Sequence, residues 1–201
     1  NEFYSDLKYN PDYTSVINQK HYDRLNGLLS DAKDHGAELV EINPANEDFS
    51  QQESHKIPPT LVLNPTDEMQ IMKEEIFGPL LPIKTYKDIN EPINYINKND
   101  KPLGLYYFGN NKNEEAKVVN STTSGGVTVN DIMGHIQQNE LGFGGVGPSG
   151  MGKYDGFDGF MNFSNNKPIY KQIGFGLDKL LDAIRPPYKG SIEDVLKKLL
   201  K

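Results

Sequence analysis

Leu103-Gly104-Leu105-Tyr106-Tyr107-Phe108, a helical pattern over residues 112–120, and then Gly126-Val127-Thr128-Val129 together decide the fold. The first run is almost continuously apolar, the signature of a strand covered on both faces. Two strands joined by a helix in so short a span predict a parallel β-α-β unit, whose crossover is expected to be right-handed. The fold class is therefore α/β.

Toward the N-terminus, Tyr22, Leu25, Leu28, Leu29 and Ala32 recur at helical steps, with Gly36 placed as the C-terminal cap. Asn10-Pro11-Asp12 reads as a turn ahead of this helix. Glu38 to Ile42 and Thr60-Leu61-Val62-Leu63 read as short strands, with a polar loop over 43–58 between them. Leu80, Leu81 and Ile83 mark another strand, which Pro82 makes irregular or confines to an edge. Asp88-Ile89-Asn90-Glu91 has capping-box spacing, and Ile89, Ile93 and Ile96 form the stripe behind it. Pro92 is tolerable there because it falls in the first turn.

Toward the C-terminus, Gly142 to Gly159 is too rich in glycine for helix or strand and reads as a long loop. Phe160 to Lys171 reads as a strand. Beyond Gly174-Phe175-Gly176 come two short helical patterns separated by Arg185-Pro186-Pro187. One holds Leu177, Leu180, Leu181 and Ile184; the other opens at Ser191, with Asp194 three residues on, and buries Ile192, Val195 and Leu199. Residues 1–172 are expected to form one portion, including a strand at about 160–172, and 173–201 a helical tail.

With 201 residues, the chain suits one domain or a domain and an arm. A net charge of −7 argues against a nucleic-acid footprint. No apolar run approaches the ~18 residues of a membrane span, and no basic-then-apolar leader opens the chain, so the expected location is the cytoplasm. Cysteine is absent, which removes disulfides, thiolate metal ligands and a thiol nucleophile from this stretch. His21, His35, His55 and His135 are scattered without the spacing of a zinc site, so no metal is expected.

Two nucleotide motifs fail on context. Gly145-Val146-Gly147-Pro148-Ser149-Gly150 spells the dinucleotide fingerprint, but Pro148 sits inside it and no helix pattern follows. Gly147 to Lys153 begins a phosphate loop, but Tyr154 stands where a magnesium-binding hydroxyl is needed.

Glu74-Glu75-Ile76-Phe77-Gly78-Pro79 is more specific. A carboxylate can accept hydrogen bonds from both hydroxyls of a ribose, and a phenyl ring two residues on can lie beside the attached heterocycle. Read alone, a charged turn before a strand is the stronger account. The downstream stretches change that weighting. Ser124-Gly125-Gly126-Val127-Thr128-Val129-Asn130-Asp131 and Phe143-Gly144-Gly145-Val146-Gly147-Pro148-Ser149-Gly150-Met151-Gly152 resemble, in order and spacing, successive motifs of the aldehyde dehydrogenase superfamily. Asn10-Pro11-Asp12-Tyr13-Thr14-Ser15, Pro58-Pro59-Thr60-Leu61 and Arg185-Pro186-Pro187-Tyr188 narrow the likeness to the class-three type branch, closest to coniferyl aldehyde dehydrogenases. The resemblance runs from about residue 9 to 190.

That resemblance implies the C-terminal part of an aldehyde dehydrogenase catalytic domain, with a strand and helical tail used in oligomerisation. It implies that Glu75 binds the nicotinamide ribose of NAD or NADP and Phe77 positions the ring. Asn130 would hold the wall of the active-site loop, and Phe143 would line the aldehyde tunnel. His135 resembles a pocket histidine, a solvent-facing loop histidine being the equal alternative. The glycines at 144–152 would let backbone pack closely. Gly142 stands where the family usually has proline, so the φ restraint before Phe143 is missing. In the family a cysteine thiolate attacks the aldehyde to give a thiohemiacetal, hydride passes to nicotinamide, and a glutamate activates water. The resemblance puts that cysteine, the glutamate and the adenosine-gripping Rossmann portion upstream, so no catalytic residue is expected here and the chain alone should be inactive. The implied partners are an aldehyde, the N-terminal half of the same polypeptide and further copies of itself. The rival readings are a naturally truncated scaffold or dimerisation module of the same fold, and an unrelated nucleotide-phosphate binder built on the glycine loop.

Overall fold

The computed structural model describes residues 3–172, 185–186 and 192–200. The chain divides into two compact units, Asn1–Tyr95 and Ile96–Lys201.

The first unit is organised by helix α1, Gln19–Asp34. Asn18 caps its start by accepting the His21 N–H at 3.0 Å, which satisfies one of the orphan donors of the first turn. It ends as expected at Gly36, whose φ of +86° suits a residue without Cβ. The three-to-four spacing read from sequence turns Leu25, Leu28 and Ala32 inward. They pack with Ile57, Val62, Met69, Ile71 and Leu80 as one core. Leu25 is wholly buried, so its truncation to alanine should cost about 2–5 kcal/mol.

Strands β1 (Glu38–Glu41), β2 (Thr60–Leu63) and β3 (Leu80–Ile83) lie in that order, β1 antiparallel and β3 parallel to β2. Pro82 pairs with Val62 on the outer strand β3, an edge position that tolerates a residue with no N–H to donate. The N-terminal segment is strapped on by polar contacts. The Glu47 carboxylate accepts the N–H groups of Leu7 and Lys8 at 2.6 and 3.0 Å. The buried Lys56 ammonium donates to the carbonyls of Leu7 and Asn10 at 3.1 and 2.6 Å. Tyr13 donates to the Ile57 carbonyl at 2.6 Å, and burial, with Tyr4 alongside, pushes its phenol up to about 12.

Helix α2, Asn90–Lys98, starts with the predicted reciprocal cap. Glu91 accepts the Asp88 N–H at 3.3 Å, and Asp88 accepts the Asn90 N–H at 2.7 Å. Ile93 is the buried member of the stripe.

The second unit contains the β-α-β element: β4 (Gly104–Tyr107), α3 (Lys112–Ser121) and β5 (Gly126–Val129). The strands are parallel, in register from Gly104 opposite Gly126 to Tyr107 opposite Val129. Full cover of β4 is not observed. Tyr107 is buried, but Tyr106 is 38% and Phe108 63% exposed. His135 packs on the Tyr106 side of the ladder but leaves Tyr106 and Phe108 partly open.

Short helices α4 (Gly134–Gln137) and α5 (Gly156–Asn162) follow, and α6 spans Ile192–Leu199. The strand expected at 160–172 is not formed. Asp155 and Gly156 take left-handed φ values of +64° and +56° and turn the chain into α5 instead. Phe157, Phe160 and Phe163 recur every third residue, a helical spacing rather than a strand's alternation. Residues 163–172 pair with no strand among the described residues. The helix predicted from Ser191 onward is present; the burial of Val195 and Leu199, and the pattern at 177–184, lie outside the described residues. No helix among the described residues is long and apolar enough to cross a membrane.

Candidate functional site

Glu75 and Phe77 sit on the turn that leads into β3. Arg24 of α1 reaches across to fix this turn. Its guanidinium donates to the Glu75 carbonyl at 3.2 Å and the Ile76 carbonyl at 2.5 Å, and lies 3.6 Å from the Glu74 carboxylate. Gly78 packs so tightly on α1 that a Cβ there would come within 2.6 Å of both Leu25 methyl carbons. The backbone is thus pinned at two points. The side chains are left open. Phe77, at φ +45°, is 85% exposed, and a non-glycine residue held in that region costs about 1 kcal/mol or more. The Glu75 carboxylate is exposed and accepts no hydrogen bond among the described residues. Its two free oxygens fit a vicinal diol, which needs an acceptor that no protein donor already holds.

Sequence reasoning missed Arg24. It stands one residue before the buried Leu25, and nothing in local spacing ties it to a turn 51 residues away. Only the packing of α1 against the segment before β3 reveals the pairing.

Asn130, His135 and Phe143 belong to the second unit. Asn130 ends β5 at φ +56°, a conformation to which asparagine is better suited than most residues. Its amide clamps Gly109 from both sides: Oδ1 accepts the Gly109 N–H at 2.8 Å, and Nδ2 donates to the Gly109 carbonyl at 2.9 Å. This ties the end of β5 to the end of β4. His135 is not a solvent-facing loop residue. Its ring packs between Tyr106 and Phe143, with centroids 5.9 and 6.3 Å away.

Phe143 is placed despite the glycine before it. It exchanges two backbone hydrogen bonds with Tyr154, at 2.7 and 2.9 Å, and the two rings meet edge to face at 5.3 Å. This bridge supplies the restraint that a proline at 142 would otherwise give. A Cβ at Gly142 would also fall 2.9 Å from the Asp158 Cβ, so the local packing is built around glycine.

The glycine-rich segment is a compact turn rather than a phosphate cradle. A Cβ on Gly144 would sit 2.1 Å from the Gly152 carbonyl oxygen, and one on Gly145 2.1 Å from that of Ser149. The Ser149 hydroxyl closes the loop by accepting the Val146 N–H at 2.9 Å. The next helix begins only at Gly156. Beside this turn lies a cavity of about 410 Å³ whose wall includes Leu103, Phe143, Met151, Tyr154 and Phe163. Among the described residues no cluster of histidines and carboxylates could hold a metal ion.

The aldehyde dehydrogenase family model matches residues 3–169. The chain belongs to the aldehyde dehydrogenase family. It is 52% identical over 194 residues to a probable coniferyl aldehyde dehydrogenase of Caulobacter vibrioides, covering 96% of this chain and 40% of that protein. A coniferyl aldehyde dehydrogenase of Pseudomonas sp. is 48% identical over 197 residues, covering 98% of this chain and 40% of that protein. Among solved structures, the substrate-bound state of Staphylococcus aureus AldH superposes with a TM-score of 0.68 at 36% identity, covering 96% of this chain and 40% of that one. The chain thus spans 40% of the length of these aldehyde dehydrogenases.

Proposed function

We propose that this chain is the C-terminal portion of an NAD(P)-dependent aldehyde dehydrogenase of the coniferyl aldehyde type, which oxidises an aromatic or medium-chain aldehyde to its acid. The observation that carries this reading is the turn at 74–78, whose backbone is fixed by Arg24 and Gly78 while Glu75 and Phe77 stay open. A bound nicotinamide would supply the hydride acceptor. Glu75 receives the hydroxyls of its ribose, and Phe77 offers a face beside the ring. Phe143 lines the path of the aldehyde, and Asn130 holds the backbone behind it. The exposed rings of Phe157, Phe160 and Phe163 support the use of this region in contact with other copies of the polypeptide.

The nucleophile, the water-activating glutamate and the grip on the adenosine end come from residues upstream. The chain by itself therefore oxidises no aldehyde and binds the cofactor weakly, since it offers only the nicotinamide end. The test compares the full-length polypeptide with the 201-residue chain, using coniferyl-type aldehydes with NAD and with NADP. Reduced nicotinamide should form only with the full-length protein. Robust turnover by the shorter chain, or none by the longer, would defeat the reading.

A further inference from the structure

Thr128 lies on β5, and its Oγ1 is 2.7 Å from His135 Nδ1 and accepts the His135 backbone N–H at 3.1 Å. The ring then lies across a gap left by glycine: a Cβ on Gly126 would fall 2.3 Å from His135 Cδ2. Tyr106 and Phe143 flank the ring. Nε2 is buried and has no hydrogen-bond partner among the described residues.

A neutral imidazole carries one N–H, and its place follows from these partners. Threonine oxygen has two acceptor lone pairs, so it can take both the backbone N–H and an Nδ1–H. The threonine's own hydrogen can then rotate away, Thr128 being only part-buried, whereas a proton on Nε2 would leave a fully buried donor without an acceptor among the described residues. We propose that Thr128 fixes His135 as the Nδ1–H tautomer, and that the locked ring is a positioning residue that sets Phe143 on the cavity wall and so governs how the aldehyde fits. The kinetic part rests on the reading of Phe143 as an aldehyde-path residue; the lock itself does not.

The experiment uses the full-length polypeptide with nitrogen-15 histidine, the His135 signals being those lost in His135→Asn. In the wild type, Nδ1 should be protonated and Nε2 bare, with ring-to-ring cross-peaks between His135 and Phe143. Thr128→Val should lose the single tautomer, and Thr128→Ser should keep it. With coniferaldehyde, Thr128→Val should raise KM about tenfold, the weight of one ordinary hydrogen bond, with kcat changed less than about twofold, and Thr128→Ser should restore wild-type values. A proton on Nε2 in the wild type overturns the lock, and this needs no variant, so it decides even if Thr128→Val fails to fold. A changed tautomer with KM unmoved overturns the positioning role. Failure of Thr128→Ser to restore either property shows that packing, not the hydroxyl, holds the ring, and also overturns it. Absence of aldehyde turnover in the wild type sinks the functional reading alone, while the spectrum still decides the tautomer.

Discussion

The turn at 74–78 and the cluster around Asn130, His135 and Phe143 solve opposite problems. In the first, protein contacts stop at the backbone: Arg24 holds two carbonyls, while the Glu75 carboxylate and Phe77 ring are exposed. In the second, the side chains are themselves the contacts. Asn130 spends its whole amide on Gly109, and His135 is held by Thr128 and by rings on two sides. An open carboxylate on a fixed backbone suits the proposed ligand contact, whereas an interlocked cluster suits the proposed role of shaping a wall. Substitutions should therefore separate the two regions by what they damage: kinetics in the first, stability or fit in the second.

The largest effect should come from Glu75→Gln in the full-length protein. The amide keeps the size but loses the charge that strengthens hydrogen bonds from a diol, a difference of about 1.5–3 kcal/mol, or roughly ten- to a hundredfold in kcat/KM for the cofactor. Thermal stability should not move, because the carboxylate has no partner among the described residues. Steady-state kinetics beside a melting curve check both halves. Kinetics indistinguishable from wild type would remove Glu75 from the site and erase the contrast.

Next comes Asn130→Ala, where the damage should fall on folding. It removes two side-chain hydrogen bonds and leaves alanine at φ +56°. Together these should cost about 2–3 kcal/mol, read as a fall in the urea midpoint. Asn130→Asp keeps the acceptor for the Gly109 N–H and loses the donor, so its loss should be roughly half as large. If Asn130→Ala unfolds no more easily than wild type, the clamp is not structural.

Most of the framework behind this contrast was legible in local spacing. The stripe of Leu25, Leu28 and Ala32, the strands at 60–63, 80–83 and 126–129, and the cap at Asp88 and Glu91 all announce themselves within a few residues. Pro82 marked its strand as irregular or at an edge, and β3 stands at an edge of the three-stranded sheet. What failed was whatever depends on a neighbour. The apolar run at 103–108 predicted cover on both faces that this chain does not supply to Tyr106 or Phe108. The apolar character from Phe160 suggests a strand, but the spacing of three that joins Phe157, Phe160 and Phe163 fits the helix that forms over Gly156–Asn162. Site residues followed the same rule. Glu75, Asn130 and Phe143 stood out through motifs; Arg24 lies in none, and Thr128, although inside the stretch at 124–131, carries no local mark of its pairing with His135.

The smallest effects should come from the two ends of the Arg24 contact, and they test why the turn is fixed at all. Arg24 makes an ion pair with Glu74 and two hydrogen bonds to backbone carbonyls. The ion pair is long at 3.6 Å, and Glu74 is 44% exposed, so solvent screens it and Glu74→Gln should cost less than about 0.5 kcal/mol. Arg24→Met retains much of the length of the half-buried stem but releases both carbonyls, so it should cost about 1 kcal/mol and raise KM for the cofactor about threefold as the turn loosens. Arg24→Lys should fall nearer to methionine than to arginine, because an ammonium has no planar fork to reach two adjacent carbonyls at once. If Glu74→Gln did as much harm as Arg24→Met, charge rather than backbone bracing would hold the turn. The open side chains at 75 and 77 would then owe their placement to electrostatics that salt could abolish.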